Sequence, residues 1–386
     1  MTVAVSSLLV FPVKSCAPIL LQHARMVANG LAYDRMWTVA KLEPATEDQP
    51  VACWKIVTQR THPMMALIRT DITPVVSTNN NSNNNNNMHG DHYAEVEGPL
   101  GRFDDGGSLT LSMLPPSTVT SSVSISFRST AVLAAVPESE TAMINVHGQM
   151  VAGIDEGDEA SEWLSKLLNA PVRLFIKHPQ MARSIEAKHV PSSSSFSYSP
   201  QACVHTAFAD EFPVLLVSQA SIDDITHKLK ERNDTTSVSH LNFRPNILVS
   251  QVVDTTADAA VLDTMKPFDE DTWLRLSIGS LPFVVSSRCA RCTMPSISPA
   301  TGTQGKEPTK LLMSYRRVDA GSKYEACVGI NMIHTGYAAT TTNGSEPENT
   351  TESILHVGDV VKVHQTGVHD RRGIWKGGDE PLSYDA

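Results

Sequence analysis

Two cysteines three residues apart, Cys289 and Cys292, stand in the run VVSSRCARCTMPSISPATG, with Arg288 and Arg291 interleaved before and between them. A guanidinium beside a cysteine favours the thiolate, the nucleophilic and metal-binding form of the side chain. A charged sulfur at a loop end is a better soft-metal ligand than packing residue. Three readings of the pair stand side by side. A closed zinc site needs four ligands, and no second C-x-x-C or H-x-x-x-H follows. A thioredoxin-type redox pair opens a helix of a βαβ unit, whereas Thr293-Met294-Pro295 reads as loop. The third reading is two ordinary cysteines in a strand and its loop.

A second set of residues has anion chemistry. Lys14-Ser15 ends the first strand in FPVKSC, Arg35 lies in YDRMW, Arg60 in TQRTHP, Arg244 in NFRPNI and Arg316 in SYRR. An arginine fork with hydroxyl and backbone N–H donors clamps phosphate or carboxylate. Taken singly, each of these is as readily a solvated surface charge. Taken with the thiolate, they point to a pocket that holds a soft metal next to an anionic organic group. Other polar residues read as structural: His147, His205 and His240 as strand or loop histidines, Cys16 and Cys53 as small hydrophobes, Trp37 and Trp163 as core. Ser218 and Ser221 are candidate cofactor donors, and Ser221 is equally an N-cap for the helix after it.

The chain that must position these groups has 386 residues, enough for two domains of ordinary size. Hydrophobic residues make up 41% and charged residues 19%, as in a soluble globular protein carrying insertions. A net charge of −10 argues against a nucleic-acid footprint, which needs a basic face. The six cysteines follow no regular spacing, which indicates a reducing compartment rather than a disulfide framework. No apolar run is long enough to span a bilayer, and the N-terminus alternates like a strand instead of reading as a signal peptide.

Strands dominate the pattern. They are expected at 3–13, 18–26, 36–42, 54–58, 65–70, 108–113, 123–128, 143–147, 172–176, 246–253 and 272–278, with a last one in LHVGDVVKVHQ. Asn29-Gly30 between apolar runs predicts a hairpin joining 18–26 to 36–42. Helices are expected at 159–168, where Trp163, Leu164, Leu167 and Leu168 share a face, and at 221–231. An Asn-rich tract at about 76–92, a Ser-rich stretch at 190–200 and a Thr/Asn-rich stretch at 340–352 have little to bury and read as insertions. The fold class is mainly β with a few helices. The expected division is an N-terminal barrel-like domain over 1–135, a connecting segment over 136–200, a second β domain over 201–366 and a tail over 367–386.

Nine short motifs in order then resemble one family: FPVKSC, GLAYDRMW, VTQRTHP, GDEASEWLS, VLLVSQASIDDI, FRPNILVS, CARCTMPSISPATG, LLMSYRR and VGDVV. They resemble the MOSC family with its N-terminal β-barrel partner domain. Within it they are similar to the amidoxime-reducing branch of mitochondria and bacteria and to the C-terminal part of the molybdenum cofactor sulfurases. The resemblance implies that the metal is molybdenum and the anion the phosphate of molybdopterin. It assigns the metal thiolate to Cys292, cofactor contacts to Lys14, Ser15, Arg35, Arg244, Asn246 and Arg291, and a carboxylate near the metal to Asp210. The chain departs from the amidoxime-reducing pattern at Ala290, Glu211 and Phe212, where that branch has hydroxyl residues. Glu211 is an awkward neighbour for a phosphate.

The activity so implied is oxygen removal from N-hydroxylated substrates such as amidoximes, with electrons from a b-type cytochrome and its NADH-dependent reductase and Asp210 as a candidate for proton delivery. The alternative is a carrier or sulfuration module that binds the cofactor without turnover. Sulfurases use a pyridoxal-phosphate domain upstream, for which this sequence leaves no room. Relatives reach mitochondria through an N-terminal extension. None is visible here, so the cytoplasm is the default expectation.

Overall fold

The computed structural model describes residues 2–45, 51–74, 87–88, 94–96, 100, 103–191, 198, 202, 204–252, 264–336 and 353–377. The Asn-rich and Ser-rich stretches fall largely outside these residues, and 340–352 wholly so. The described chain is mainly strand, with five α-helices.

Seven strands make a ring. Val360–His369, Trp273–Ile278, Leu281–Arg291, Ala326–His334, Val214–Ser218, Ile247–Gln251 and Val3–Val10 are neighbours in that order. Val3 and Ala4 then pair back onto Val361 and Val360. Alternation explains the interior: Val214 and Leu216, Ile247 and Val249, Phe283 and Val285, Ile330 and Met332 all enter one buried cluster. Each such side chain contributes about 1.5–3 kcal/mol when fully buried. On the other face, Val217, Ala326 and Val328 pack against Ile222, Ile225 and Leu229 of the helix Gln219–Glu231 and Leu311 and Leu312 of the helix Thr309–Tyr315. Ser218, not Ser221, caps the first of these helices, by accepting from the Ser221 N–H.

A smaller closed barrel joins Ala142–Val146, Gln149–Asp155, Arg173–Lys177, Trp37–Glu43 and Cys53–Ile56. Ala40, Ile144, Val146, Val151 and Phe175 fill it, and Phe208 inserts from outside the five strands. The two barrels draw on interleaved stretches of chain. The first strand belongs to the ring, while the stretch expected as a connection supplies three of the small barrel's five strands. A tight turn forms there, but at Ala28-Asn29, and the strand it leads into is the two-residue Gly30–Leu31. Trp37–Glu43 pairs instead with Arg173–Lys177 and Cys53–Ile56. The turn signal was local, whereas closing the small barrel decided the partner.

The cysteine strand Leu281–Arg291 is irregular where it matters. Its pairing with Ala326–His334 slips twice, between Val285 and Ser287 and between Arg288 and Ala290. At the second slip Cys289 alone faces Val328 and Gly329. A two-against-one bulge of this kind bends a strand and re-aims a side chain. Gly329 has φ 77°, and a Cβ there would stand 2.6 Å from the Leu216 carbonyl oxygen and from Val217 Cγ2. Gly329→Ala should therefore cost about 1–3 kcal/mol through the backbone alone, seen as a lower urea midpoint with unchanged slope. An unshifted midpoint would show that the bulge tolerates a side chain.

Candidate functional site

A cavity of about 330 Å³ opens between the ring and the small barrel. Lys14, Ser15, Arg35, Asp210, Arg244, Asn246, Arg291 and Cys292 all line it. So do Arg60, His147, Glu211, Cys289, Glu325 and Arg371. The wall carries six basic side chains against three carboxylates, on a chain whose net charge is negative.

The basic floor is held by unusual backbone. Ser15, Arg35 and Arg244 have φ of 70°, 50° and 55°, a region that non-glycine residues seldom occupy and that costs about 1–3 kcal/mol each when imposed. Local hydrogen bonds enforce it: the Arg35 N–H donates to Phe11 O, Gln59 Nε2 donates to Ser15 O, and the Arg244 N–H closes the helical turn onto His240 O. The guanidinium carbons of Arg35 and Arg244 lie 4.5 and 4.1 Å from the centre of the buried Phe11 ring. Burial first, and then the Arg35 charge, bring Arg244 down to about 9. Arg35 is braced by Asp34 (2.6 Å), by Asn246 Oδ1 (3.3 Å) and by Arg244 O (3.2 Å). Asn246 also accepts from Leu215 N and donates to Leu9 O. Its side chain aims Arg35.

The thiols differ from the sequence expectation. Arg288 turns away from them and donates to His369 O and Asp271 O. Arg291 serves Cys289, not Cys292, donating to its Sγ at 2.9 Å. Burial nonetheless pushes the Cys289 thiol up, and Arg291 only opposes this. Cys292 lies just past the strand end, half-buried, with the Met294 N–H 3.4 Å from its sulfur. Both thiols are free. Among the described residues no group of three or more His, Cys, Asp or Glu is placed to hold a metal. A metal at Cys292 would take that one protein sulfur and find its remaining ligands in a cofactor.

The opposite wall is acidic. Lys14 Nζ donates to Phe208 O (2.8 Å) and to Asp210 Oδ1. Burial brings Lys14 down to about 8 despite the Asp210 charge. Partial desolvation opposes ionisation of Asp210, whose side chain is still 59% exposed, but Lys14 and His147 overcome it and hold the carboxyl well below its usual range. Arg183, which nothing in the sequence singled out, donates to the carbonyls of Ala207, Ala209 and Asp210 and to Gln149 Oε1. It fixes the segment that carries the carboxylate. His147, expected to be structural, stands in the wall with Nε2 2.9 Å from Asp210 Oδ1. Glu211 is neutralised: one terminal nitrogen of Arg371 straddles both its oxygens at 2.6 and 2.7 Å.

Three expected donors lie elsewhere. Arg316 is buried in an ion cluster, reaching Asp271 at 2.5 Å and stacking 3.7 Å from the Phe268 ring centre. Ser218 and Ser221 both donate to the buried carboxylate of Glu270, at 2.8 and 2.7 Å. The cavity wall itself retains two buried donors without a partner, Ser15 Oγ and Arg244 Nη2. A buried donor left unpaired costs about 1–3 kcal/mol. An anion between them would recover that cost and relieve the repulsion of the two guanidinium groups, so the donor set fits a phosphate.

A depressed aspartate contributes stability that is present above its ordinary value of 3.8 and lost as pH falls through its folded value. Asp210→Asn should lower the Tm at neutral pH by a few degrees, and the gap to the parent should close as the pH drops below about 4. Thermal unfolding across that range checks it. A gap independent of pH would mean the ion pair adds no stability.

Comparisons with known proteins agree with this architecture. The family model described as MOSC domain matches residues 204–362, and that described as MOSC N-terminal beta barrel domain matches residues 2–95. The chain is 26% identical over 332 residues to mitochondrial amidoxime-reducing component 1 of Homo sapiens, covering 83% of this chain and 74% of that protein. It is 30% identical over 182 residues to the Danio rerio component 1, covering 46% and 48%. To the molybdenum cofactor sulfurase of Danio rerio it is 24% identical over 312 residues, which is 81% of this chain but 30% of the sulfurase. The two matched models span more than half of the chain between them, and both meet at the cavity: Lys14, Ser15 and Arg35 come from the first, Asp210, Arg244 and the two thiols from the second. The chain belongs to the MOSC family, in the group whose members also carry the MOSC N-terminal β-barrel domain.

Proposed function

We propose that this protein is a molybdenum-pterin oxidoreductase that removes oxygen from N-hydroxylated compounds of the amidoxime or N-hydroxy-base type. The observation that carries the reading is the pairing, in one cavity, of a half-buried free thiol at Cys292 with two buried, unpartnered phosphate donors, Ser15 and Arg244. Similarity to the amidoxime-reducing components supports the substrate class. Molybdenum held by a pterin dithiolene supplies two-electron redox chemistry when bound.

The residues of the chain divide the remaining work. Cys292 offers sulfur to the metal, while Arg35, Arg244, Ser15 and Lys14 form the anion side that orients the cofactor phosphate. Arg291 ties the cysteine segment to Phe243 and Cys289. For the substrate, R–NH–OH plus two electrons and two protons gives R–NH₂ and water. The N–O bond breaks, and the electrons come from a reduced b-type cytochrome fed by an NADH-dependent reductase. A mitochondrial setting goes with that donor chain. Among the described residues no helix is long and apolar enough to cross a membrane.

A second reading, a cofactor carrier or sulfuration module without its own turnover, draws on the match to the C-terminal part of a sulfurase. Electron uptake separates the two. Protein made in a cofactor-competent host should contain molybdenum and pterin, and reduced cytochrome should drive amidoxime loss. Cys292→Ser should remove essentially all the molybdenum from folded protein. Arg244→Gln, which deletes one charge-assisted contact, should weaken pterin retention about 10- to 100-fold. Bound cofactor without N-hydroxy turnover would select the carrier, and a metal-free, pterin-free parent would overturn both readings.

A further inference from the structure

His147 sits in a two-residue turn, since Val146 and Gln149 are cross-strand partners on either side of His147-Gly148. Both turn residues have positive φ, 51° and 91°. That geometry is the type I′ turn, whose first position favours Asn. Histidine, like asparagine and aspartate, enters this region more readily than other non-glycine residues, so the turn accommodates it. The turn also lifts the imidazole into the cavity wall, where its Nε2 meets Asp210 Oδ1 at 2.9 Å.

The surroundings are those of an oriented imidazole. The same carboxylate oxygen is gripped by Lys14, and Arg183 holds the carbonyl of Asp210 and those just before it. Asp210 is thus a fixed acceptor, and Nε2–H is the tautomer it selects. Nδ1 is left to exchange a proton. The His147 side chain is 32% exposed at the rim of the cavity. Arg60 Nη2 lies 3.4 Å from Nδ1 and 3.3 Å from Nε2. Glu211 flanks Asp210 but is paired with Arg371.

We propose that His147 is the acid of this cavity, giving the Nδ1 proton to the leaving hydroxyl oxygen of the N-hydroxy substrate while Asp210 orients the ring. The proposal rests on the reductase reading and deepens it. It moves proton delivery away from Asp210, whose carboxyl Lys14 and His147 keep ionised. One of the two protons consumed per turnover passes through His147, leaves with oxygen as water when the N–O bond breaks, and is replaced from solvent.

His147→Asn is the variant to make, because asparagine suits the turn and cannot transfer protons. Relative to the parent, its single-turnover rate with an amidoxime should fall by roughly 100-fold or more, a usual contribution of a positioned acid. Its molybdenum and pterin content should be unchanged, and the acid-side dependence of rate on pH should flatten. In cofactor-free protein, nitrogen NMR of His147 should show the Nε2–H tautomer, and Asp210→Asn should erase that preference. An active parent with an equally fast His147→Asn overturns the proposal alone, as does a ring in the Nδ1–H form. A cofactor-loaded parent that reduces no N-hydroxy compound overturns the reductase reading, and the proposal falls with it.

Discussion

Two guanidinium groups packed over one buried phenyl ring set the terms for the rest of this molecule. Arg35 and Arg244 both lie over Phe11, and Arg244 keeps a buried nitrogen with no partner. Each cation gains from the ring face, but their mutual repulsion at low dielectric is a standing cost. The fold tolerates that cost by over-determining the backbone around it, with three left-handed non-glycine residues held by hydrogen bonds to Phe11, Gln59 and His240. An anion between the two groups converts the cost into affinity. The cavity is therefore pre-built for a negatively charged ligand.

The site lies at the meeting of two barrels. Lys14 and Arg35 come from the links between the ring's first strand and the small barrel, and the carbonyl of Phe208, whose ring fills the small barrel, accepts from Lys14 two residues before Asp210. Packing inside one barrel thus fixes a charge in the wall shared with the other. The thiols reach the same cavity by a different device, the bulge opposite Gly329. Both are rigid solutions. Supports of that kind hold side chains from two barrels at fixed separation.

Much of this was legible in the sequence because it is written in short-range signals. The alternation of the strands, the helix 159–168, and basic residues at turn ends beside small polar groups all report local geometry, and the structure gathers Lys14, Arg35, Arg60 and Arg244 at one cavity. What could not be read depends on partners far away in the chain. Arg316 looks like Arg244 in sequence, yet a buried Asp271 some 45 residues upstream claims it. Ser218 and Ser221 likewise go to Glu270, 52 and 49 residues on. His147 had no motif around it, and only the closing of the small barrel brings it to Asp210. The His-Gly pair between two strands was the one available hint, since it marks a tight turn.

The departure at Glu211 shows how such a site tolerates change. A carboxylate placed in a basic wall would repel an anionic ligand. Here the charge is answered within the protein: Arg371, from the strand end that follows Val360–His369, covers both oxygens of Glu211 and is itself only 17% exposed. The backbone N–H of Arg371 is fixed in turn by Asp319, which belongs with Arg288, Arg316 and Asp271 in the buried ion cluster. The motif arginine that turned away from the thiols therefore still acts on the site, through the segment that neutralises Glu211. The wall keeps its excess of positive charge, and the departure from the family pattern is compensated by a residue more than 150 positions away in sequence.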